Sequence, residues 1–361
     1  MEKKHIGFLR FCIDAKAEIK DEFHDIDWNY MYDFAYRQTL SGILFEGIRR
    51  LPAEYAPPRP VLMKWIGISN AIEKQNIIQN RNVKEAVRMF EADGFRCCIL
   101  KGQGNAAMYP NPFSRMPGDI DIWLSGNDSE IMRYVRNKTP DCEFCYHHVE
   151  FPPFNNTEIE VHYRPSFMNN PFYNRRLQQW FRDMAEQQFG NIVMLPQSDN
   201  DEDKGIPVPT YRFNCVFQMS HIYHHVLHEG IGLRQLLDYY FLLKSVERPD
   251  ADIGRLLRRF GMQGISGAVM YVLKEIFALD EGLMVVPPDE KRGRMLLNEI
   301  FISGNFGHHD DRQKWIYKSQ LNRNIGRFVR DFRFVRLYPG ECLWEPAFRL
   351  WHFFWRMVNK K

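Results

Sequence analysis

Asp119 and Asp121 stand two residues apart in the stretch Gly118-Asp-Ile-Asp-Ile-Trp-Leu124. In an extended strand alternate side chains share a face, which sets these two carboxylates on one side with Cα atoms roughly 6–7 Å apart. Ile120 and Ile122 then face the other side, where they can anchor the strand in a core. Two like charges on one face repel unless something positive lies between them, and a divalent ion such as Mg²⁺ takes carboxylate oxygens readily. Two acids facing water on an edge strand need no ion. The neighbouring residues therefore decide what the pair means.

Gly102 opens a helix directly after an apolar strand, where free backbone N–H groups can hold a phosphate. Lys101 and Arg115 bring the positive charge that a triphosphate needs. Further on, Thr157-Glu-Ile-Glu-Val-His162 alternates so that Glu158, Glu160 and His162 share a strand face. If that strand lies beside the one bearing Asp119 and Asp121, Glu160 becomes a third carboxylate at the metal pair. Two metal ions roughly 3.5–4 Å apart suit in-line displacement at phosphorus. Glu158 and Glu150 are the replacements should Glu160 point elsewhere.

The elements that would position these groups follow from period and punctuation. Residues 1–52 carry apolar residues at helical spacing, among them Phe8, Leu9, Phe11, Met31 and Phe34. A break at Pro57-Pro58-Arg59-Pro60 precedes a long helix over 61–92, and Gly94 stands where a helix-terminating glycine would. Strands are predicted over 95–100, 119–124, 142–150 and 158–162, with a short helix over 102–108 and another capped by Asn127 or Asp128. Pro152-Pro153 and Asn155-Asn156 mark a turn. Residues 172–189 read as helix, 197–205 as an acidic polar loop, and everything from Thr210 onward as helix. The expected class is α/β (α+β): a small mixed-sheet core over 93–196, between a helical region over 1–92 and a helical domain over 205–361.

Composition limits the alternatives. The chain has 361 residues, 45% hydrophobic and 26% charged, enough for two or three domains. No apolar run approaches the roughly 18 residues of a membrane span. Acidic residues interrupt the N-terminal stretch before a signal-peptide core can form. Seven cysteines are too few and too scattered for a disulfide framework and point to a reducing, cytoplasmic setting. A net charge of +3 is too small for wholesale nucleic-acid coating.

Leu100-Lys-Gly102, Tyr109-Pro110, Arg115, Gly118-Asp-Ile-Asp121, Glu160-Val-His162 and His228-Glu-Gly-Ile-Gly-Leu-Arg-Gln-Leu-Leu-Asp238 together resemble the uncharacterised bacterial nucleotidyltransferase family of the DNA polymerase beta-like superfamily. The resemblance spans about residues 98 to 240. It implies metal ligation by Asp119 and Asp121, a third-carboxylate role for Glu160 and a phosphate turn at Gly102. The implied reaction moves a nucleoside monophosphate from a triphosphate to a hydroxyl or amine acceptor and releases pyrophosphate. Mg²⁺ or Mn²⁺ is the implied cofactor, and Glu160 the group that helps deprotonate the acceptor. A small-molecule acceptor is favoured, with RNA or protein as the other choices. Two features depart from the superfamily pattern. Gln103 follows the glycine where Ser or Gly is usual, and 17 positions (119 − 102) separate Gly102 from Asp119. Gln103 favours the rival reading, a nucleotide-binding homologue without turnover.

Three other clusters invite chemistry. In His221-Ile-Tyr-His-His-Val-Leu-His228, His221 stacks with His225 and His224 with His228 at i, i+4, a spacing that can bind zinc as in a metallohydrolase. The commoner outcome is one face packed and the other lining a cleft, with His162, His225, His228, Arg234 and Asp238 as cleft candidates. Arg234 and Asp238 are also spaced as a helix ion pair. Cys142-Glu-Phe-Cys145 with His147 and His148 nearby is a weak zinc signature, because a strand puts its two thiols on opposite faces. Arg323, Arg327, Arg330, Arg333 and Arg336, interleaved with Phe328, Phe332 and Phe334, form a basic-aromatic run that could grip RNA. The terminal Trp351-His-Phe-Phe-Trp355 is expected to pack back on the body.

Overall fold

The computed structural model describes residues 1–196, 204–307, 310, 312, 326 and 329–359. The fold is mixed α/β, as expected. Four helices come first: α1 (Lys3–Ile13), α2 (Trp28–Arg37), α3 (Ser41–Ile48) and α4 (Arg59–Ala92). Pro60 stands in the first turn of α4, where its missing N–H costs nothing. Gly94 ends the helix with φ +91°, and Phe95 N–H reaches back to Phe90 O at 2.9 Å.

The sheet follows, with β1 (Cys97–Ile99), the short α5 (Gln103–Ala106), β2 (Ile120–Leu124), α6 (Asp128–Lys138), β3 (His148–Phe154) and β4 (Thr157–His162). Its strand order is β1-β2-β4-β3, antiparallel at β1·β2 and β3·β4 and parallel at β2·β4. Regular pairing of β3 starts at His148, later than the predicted Cys142, and a single bridge links Phe144 to Val149. Pro152 and Pro153 belong to β3, not to the turn. They are tolerated because β3 is an edge strand whose register shifts between Phe151 and Phe154. The turn is Asn155-Asn156 alone, both residues at positive φ, the geometry a two-residue hairpin requires.

After α7 (Pro171–Phe189), a two-stranded ribbon pairs β5 (Ile192–Val193) with β6 (Ile206–Pro207). The predicted acidic loop between them lies outside the described residues, apart from Lys204 and Gly205. Helices α8 (Tyr211–His228), α9 (Leu233–Lys244), α10 (Ile253–Arg259), α11 (Gln263–Phe277) and α12 (Glu290–Ser303) complete the main body. No described helix is long and apolar enough to cross a membrane. All seven cysteines are free.

Strand alternation gives the sheet two faces. Ile99, Ile120, Ile122, Val149 and Val161 pack on Val83, Val87 and Phe90 of α4 and on Ile131 and Val135 of α6. On the other face Cys98, Leu100 and Trp123 join a larger core shared by Phe8, Met31 and Leu44 of the N-terminal helices with Phe213, Leu237 and Val269 of the C-terminal ones. Trp123 stacks 5.6 Å from Phe213. Gln38 clamps the two helical regions, donating to Ile300 O and accepting from Leu233 N–H. Each buried apolar side chain of this size contributes roughly 1.5–3 kcal/mol. These contacts hold β2 and β4 so that their polar residues turn toward α8 and α9.

The terminal helix Glu345–Asn359 is amphipathic and docks only in part. Phe348 and Trp351 meet Tyr146 with ring centroids 5.4 and 5.5 Å apart, while Phe353 and Phe354 remain exposed. In the basic-aromatic run, Arg330 is buried and donates to Val226 O, and Arg333 pairs with Glu299. Arg323, Arg327 and Phe328 lie outside the described residues.

Candidate active site

The parallel register puts Asp121 of β2 directly beside Glu160 of β4, and the antiparallel register puts His148 of β3 opposite His162. Period-two alternation then sends all four side chains to the same sheet face. They line a cavity of about 300 Å³ that also takes in Lys101, Gly102, Arg115, Gly118, Asp119, His147, and, from α8 and α9, Gln218, His221, His224, His225, Arg234 and Asp238. Sheet and C-terminal helices therefore form opposite walls of one cleft. Glu158 and Glu150 are exposed and outside it.

Within the cleft Asp121 is the hub of the acidic group, only 2% exposed. Lys101 Nζ lies 2.7 Å from its Oδ1 and His162 Nε2 3.1 Å from the same oxygen. His162 Nε2 is also 3.5 Å from Glu160 Oε2. Ligand atoms of Asp121, Glu160 and His162 all fall within 4.8 Å of one another. Burial works against the Asp121 charge, but Lys101 and His162 outweigh it and hold the carboxyl below the usual range. Burial likewise opposes the His162 charge, and its bonds to Asp121 and Glu160 raise it to about 9. Asp119 behaves oppositely. The Asp121 charge, then burial, pushes it up to about 6. Such crowding is relieved by a cation, and the oxygen-rich donor set suits Mg²⁺ or Mn²⁺.

A polar chain leads from these acids into α8. Lys101 Nζ is 3.3 Å from His221 Nε2, which lies 2.9 Å from His225 Nε2, whose Nδ1 lies 2.9 Å from Glu229 Oε2. Below it sits a second buried hub. Asp238 accepts both Nε and Nη2 of Arg115 at 2.8 Å, Tyr109 Oη at 2.6 Å and Asn105 Nδ2 at 3.3 Å.

A family model described as an uncharacterised nucleotidyltransferase matches residues 24–278, most of the chain. The chain belongs to that family. No curated protein and no solved structure gives a significant match.

Seen as a nucleotidyltransferase, the cleft rearranges several sequence expectations. Arg115 does line the cavity, but its guanidinium is engaged by Asp238, so it ties the loop before β2 to α9. The i, i+4 spacing of Arg234 and Asp238 does not become their principal pairing. Arg234 donates from Nη1 to Met116 O at 2.9 Å, and its buried Nε has no hydrogen-bond partner. His225, Arg234 and Asp238 reach the cleft, whereas His228 stacks on His224 outside the lining. Gln103 turns away, buried against Asn76 and Asn80 of α4, so its departure from the superfamily pattern falls on a packing contact. Gly102 holds φ +57° at the start of α5, a conformation costly for any residue with a Cβ.

Beyond the named candidates the cleft also takes in His147, His148, Asn105 and Gln218, and from the histidine-rich helix His221 and His224. The adjacent His147-His148 was the available signal, read only against the neighbouring cysteines. Burial pushes both imidazoles down, His148 to about 4, so both are neutral near pH 7.

The crowded Asp119 supports a stability prediction. Its folded pKa of about 6 exceeds the 3.8 of an unperturbed aspartate, so the folded state keeps its proton longer than the unfolded one. The resulting cost is absent below pH 3.8, grows as pH rises and is complete above about 6. It is on the order of 3 kcal/mol at most. In chelator, Asp119→Asn should therefore match the wild type near pH 3.5 and exceed it increasingly up to pH 7 in urea unfolding. Excess Mg²⁺ should reverse that order. A difference that stays flat from pH 4 to 7 would show that Asp119 is not crowded.

Proposed function

We propose that this chain is a metal-dependent nucleotidyltransferase that moves a nucleoside monophosphate from a nucleoside triphosphate to a hydroxyl or amine acceptor. The single observation that carries the reading is the Asp121–Glu160 register, which brings the third carboxylate onto the cleft face shared with Asp119. Asp119, Asp121 and Glu160 would hold Mg²⁺ or Mn²⁺. Bound there, a divalent ion offsets the negative charge that develops at the α-phosphate and on the leaving pyrophosphate.

The remaining steps belong to the chain's own residues. Glu160, half-buried at the edge of the acidic group, accepts the proton of the acceptor hydroxyl or amine. The acceptor atom bonds to the α-phosphorus as the bond to the β-phosphate oxygen breaks, and pyrophosphate departs. Gly102 allows the backbone to approach the phosphates closely. Lys101, which lies beside Asp121 at the cleft, and Arg234, with its unpartnered Nε, would supply positive charge to them. The walls from α8 and α9 enclose the acceptor, since binding sites commonly form between packed units. A small molecule fits a cavity of this size better than an RNA end or a folded protein. A nucleoside triphosphate donor is consistent with a cytoplasmic location.

The direct test supplies nucleoside triphosphates labelled at the α-phosphate, Mg²⁺ or Mn²⁺, and a cell extract as the source of acceptor. Label transfer with stoichiometric pyrophosphate release is the expected result. Metal-dependent nucleotide binding without pyrophosphate release would replace this reading with a silent binding homologue.

Arg234→Ala gives a narrower test. Losing one charge-assisted bond to phosphate costs about 1.5–3 kcal/mol, so nucleotide binding by calorimetry should weaken roughly 10- to 100-fold. The folded state loses one bond to Met116 O and sheds a buried charge, so the melting temperature should change little. A lowered melting temperature with unchanged nucleotide affinity would make Arg234 a packing residue.

A further inference from the structure

The three imidazoles at the sheet end of the cleft are poorly explained by an oxygen-seeking ion. His147 Nε2 lies 3.0 Å from His148 Nδ1, and ligand atoms of His147, His148 and His162 all fall within 4.8 Å of one another. His162 Nε2 also belongs to the group with Asp121 and Glu160, and His148 Nδ1 is 3.9 Å from Glu160 Oε2. Ligand atoms about 2.1 Å from one ion sit roughly 3.0–3.4 Å from each other in octahedral or tetrahedral arrangements. The 3.0 Å between His147 Nε2 and His148 Nδ1 falls in this range, and His162 Nε2 lies within 4.8 Å of both, close enough for small rotations of the rings to close on one ion.

The backbone fixes this cluster. His148 and His162 are cross-strand partners. His147 O accepts the N–H groups of Tyr163 and Arg164, which pins the start of β3 to the end of β4. His162 Nδ1 faces Arg164 O at 3.4 Å, which leaves Nε2 for the cleft. His147 Nδ1 is buried with no hydrogen-bond partner, so this ring is not held by an alternative network on both sides.

We propose that His147, His148 and His162, completed by a carboxylate oxygen of Asp121 or Glu160, form a site for a first-row transition-metal dication beside the carboxylate site. Imidazole ligands suit Zn²⁺ and its later first-row neighbours, whereas Mg²⁺ prefers an all-oxygen shell. The inference rests on the proposed function for the neighbouring carboxylate site and adds the class of metal that the imidazoles select.

The test uses full-length protein stripped with chelator, with Zn²⁺, Co²⁺ and Mg²⁺ alone as probes. Calorimetry should give Zn²⁺ at least a 100-fold advantage over Mg²⁺. In His147→Ala/His148→Ala that advantage should fall at least tenfold. Equal affinities in the wild type, or an equal loss for both ions in the variant, would overturn the proposal. X-ray absorption of the Zn²⁺-loaded wild type gives a check independent of any variant. Three imidazoles around zinc support the site, and one or none sinks it. Mg²⁺-dependent nucleotide binding separates the two readings. If it persists while zinc selectivity is missing, only this inference falls. If it fails while zinc binds through three imidazoles, the nucleotidyltransferase reading falls and the imidazole site stands.

Discussion

Asp121→Asn should abolish nucleotide transfer while leaving a folded protein. Asp121 is the most buried of the three acids, and its Oδ1 is the point where Lys101 and His162 meet. A neutral amide holds a divalent ion there far more weakly than a carboxylate, and charge stabilisation of this kind is worth several kcal/mol. At 1.36 kcal/mol per tenfold, a loss of about 4 kcal/mol lowers the rate roughly 10³-fold. Pyrophosphate release by the variant, compared at matched folded concentration, is the measurement. Residual activity above about a tenth of wild type would mean that Asp121 pairs with Lys101 for structural reasons only.

Stability of this position needs a correction. From the sequence, removing one of two crowded acids is expected to leave stability unchanged or slightly raised. In the structure Asp121 is the partnered acid and Asp119 the crowded one. Asp121→Ala would leave Lys101 and His162 buried without their nearest anion. Breaking a buried pair costs about 3–5 kcal/mol, and somewhat less here because Asp119 and Glu160 remain close. Asparagine, which keeps an oxygen for both partners, is therefore the better probe of activity. Arg115 is not a partner of Asp121, since its guanidinium belongs to Asp238.

Asp238→Ala should produce the largest stability loss of any single change in the cleft. The carboxylate accepts four hydrogen bonds, from Arg115, Tyr109 and Asn105, and both members of the Arg115–Asp238 pair are nearly inaccessible. Removing the anion leaves a buried guanidinium that keeps its bond to Met116 O at 3.3 Å but loses both bonds to carboxylate. The expected cost is about 3–5 kcal/mol, a large share of the 5–15 kcal/mol by which a domain is held folded. Urea unfolding measures it directly. The double variant Arg115→Met/Asp238→Leu should recover more than half of the loss, because apolar side chains of similar volume remove both charges together. If Asp238→Ala costs less than about 1 kcal/mol, water reaches the pair and the hub does not position α9 against the sheet.

What the sequence determined by itself is local. Alternation over Asp119-Ile-Asp-Ile122 and over Glu158-Ile-Glu-Val-His162 follows from the two-residue period of a strand, so the face shared by Asp119 and Asp121, and the one shared by Glu160 and His162, needed no knowledge of the rest of the chain. The helix stop at Gly94 and the glycine before α5 are equally local, because positive φ strongly favours glycine. That β2 lies beside β4 was a condition in the sequence and became a fact only with the sheet order. Tertiary structure alone decided the partners of the charges. Arg115 meets Asp238 across 123 positions and Lys101 meets His221 across 120, and no periodicity reports a contact of that separation. The same holds for His147 and His148. Their place beside His162 depends on the β3·β4 register, which the edge-strand prolines and the Asn155-Asn156 turn set together. Spacing tells which side chains share a face, and packing tells which faces meet.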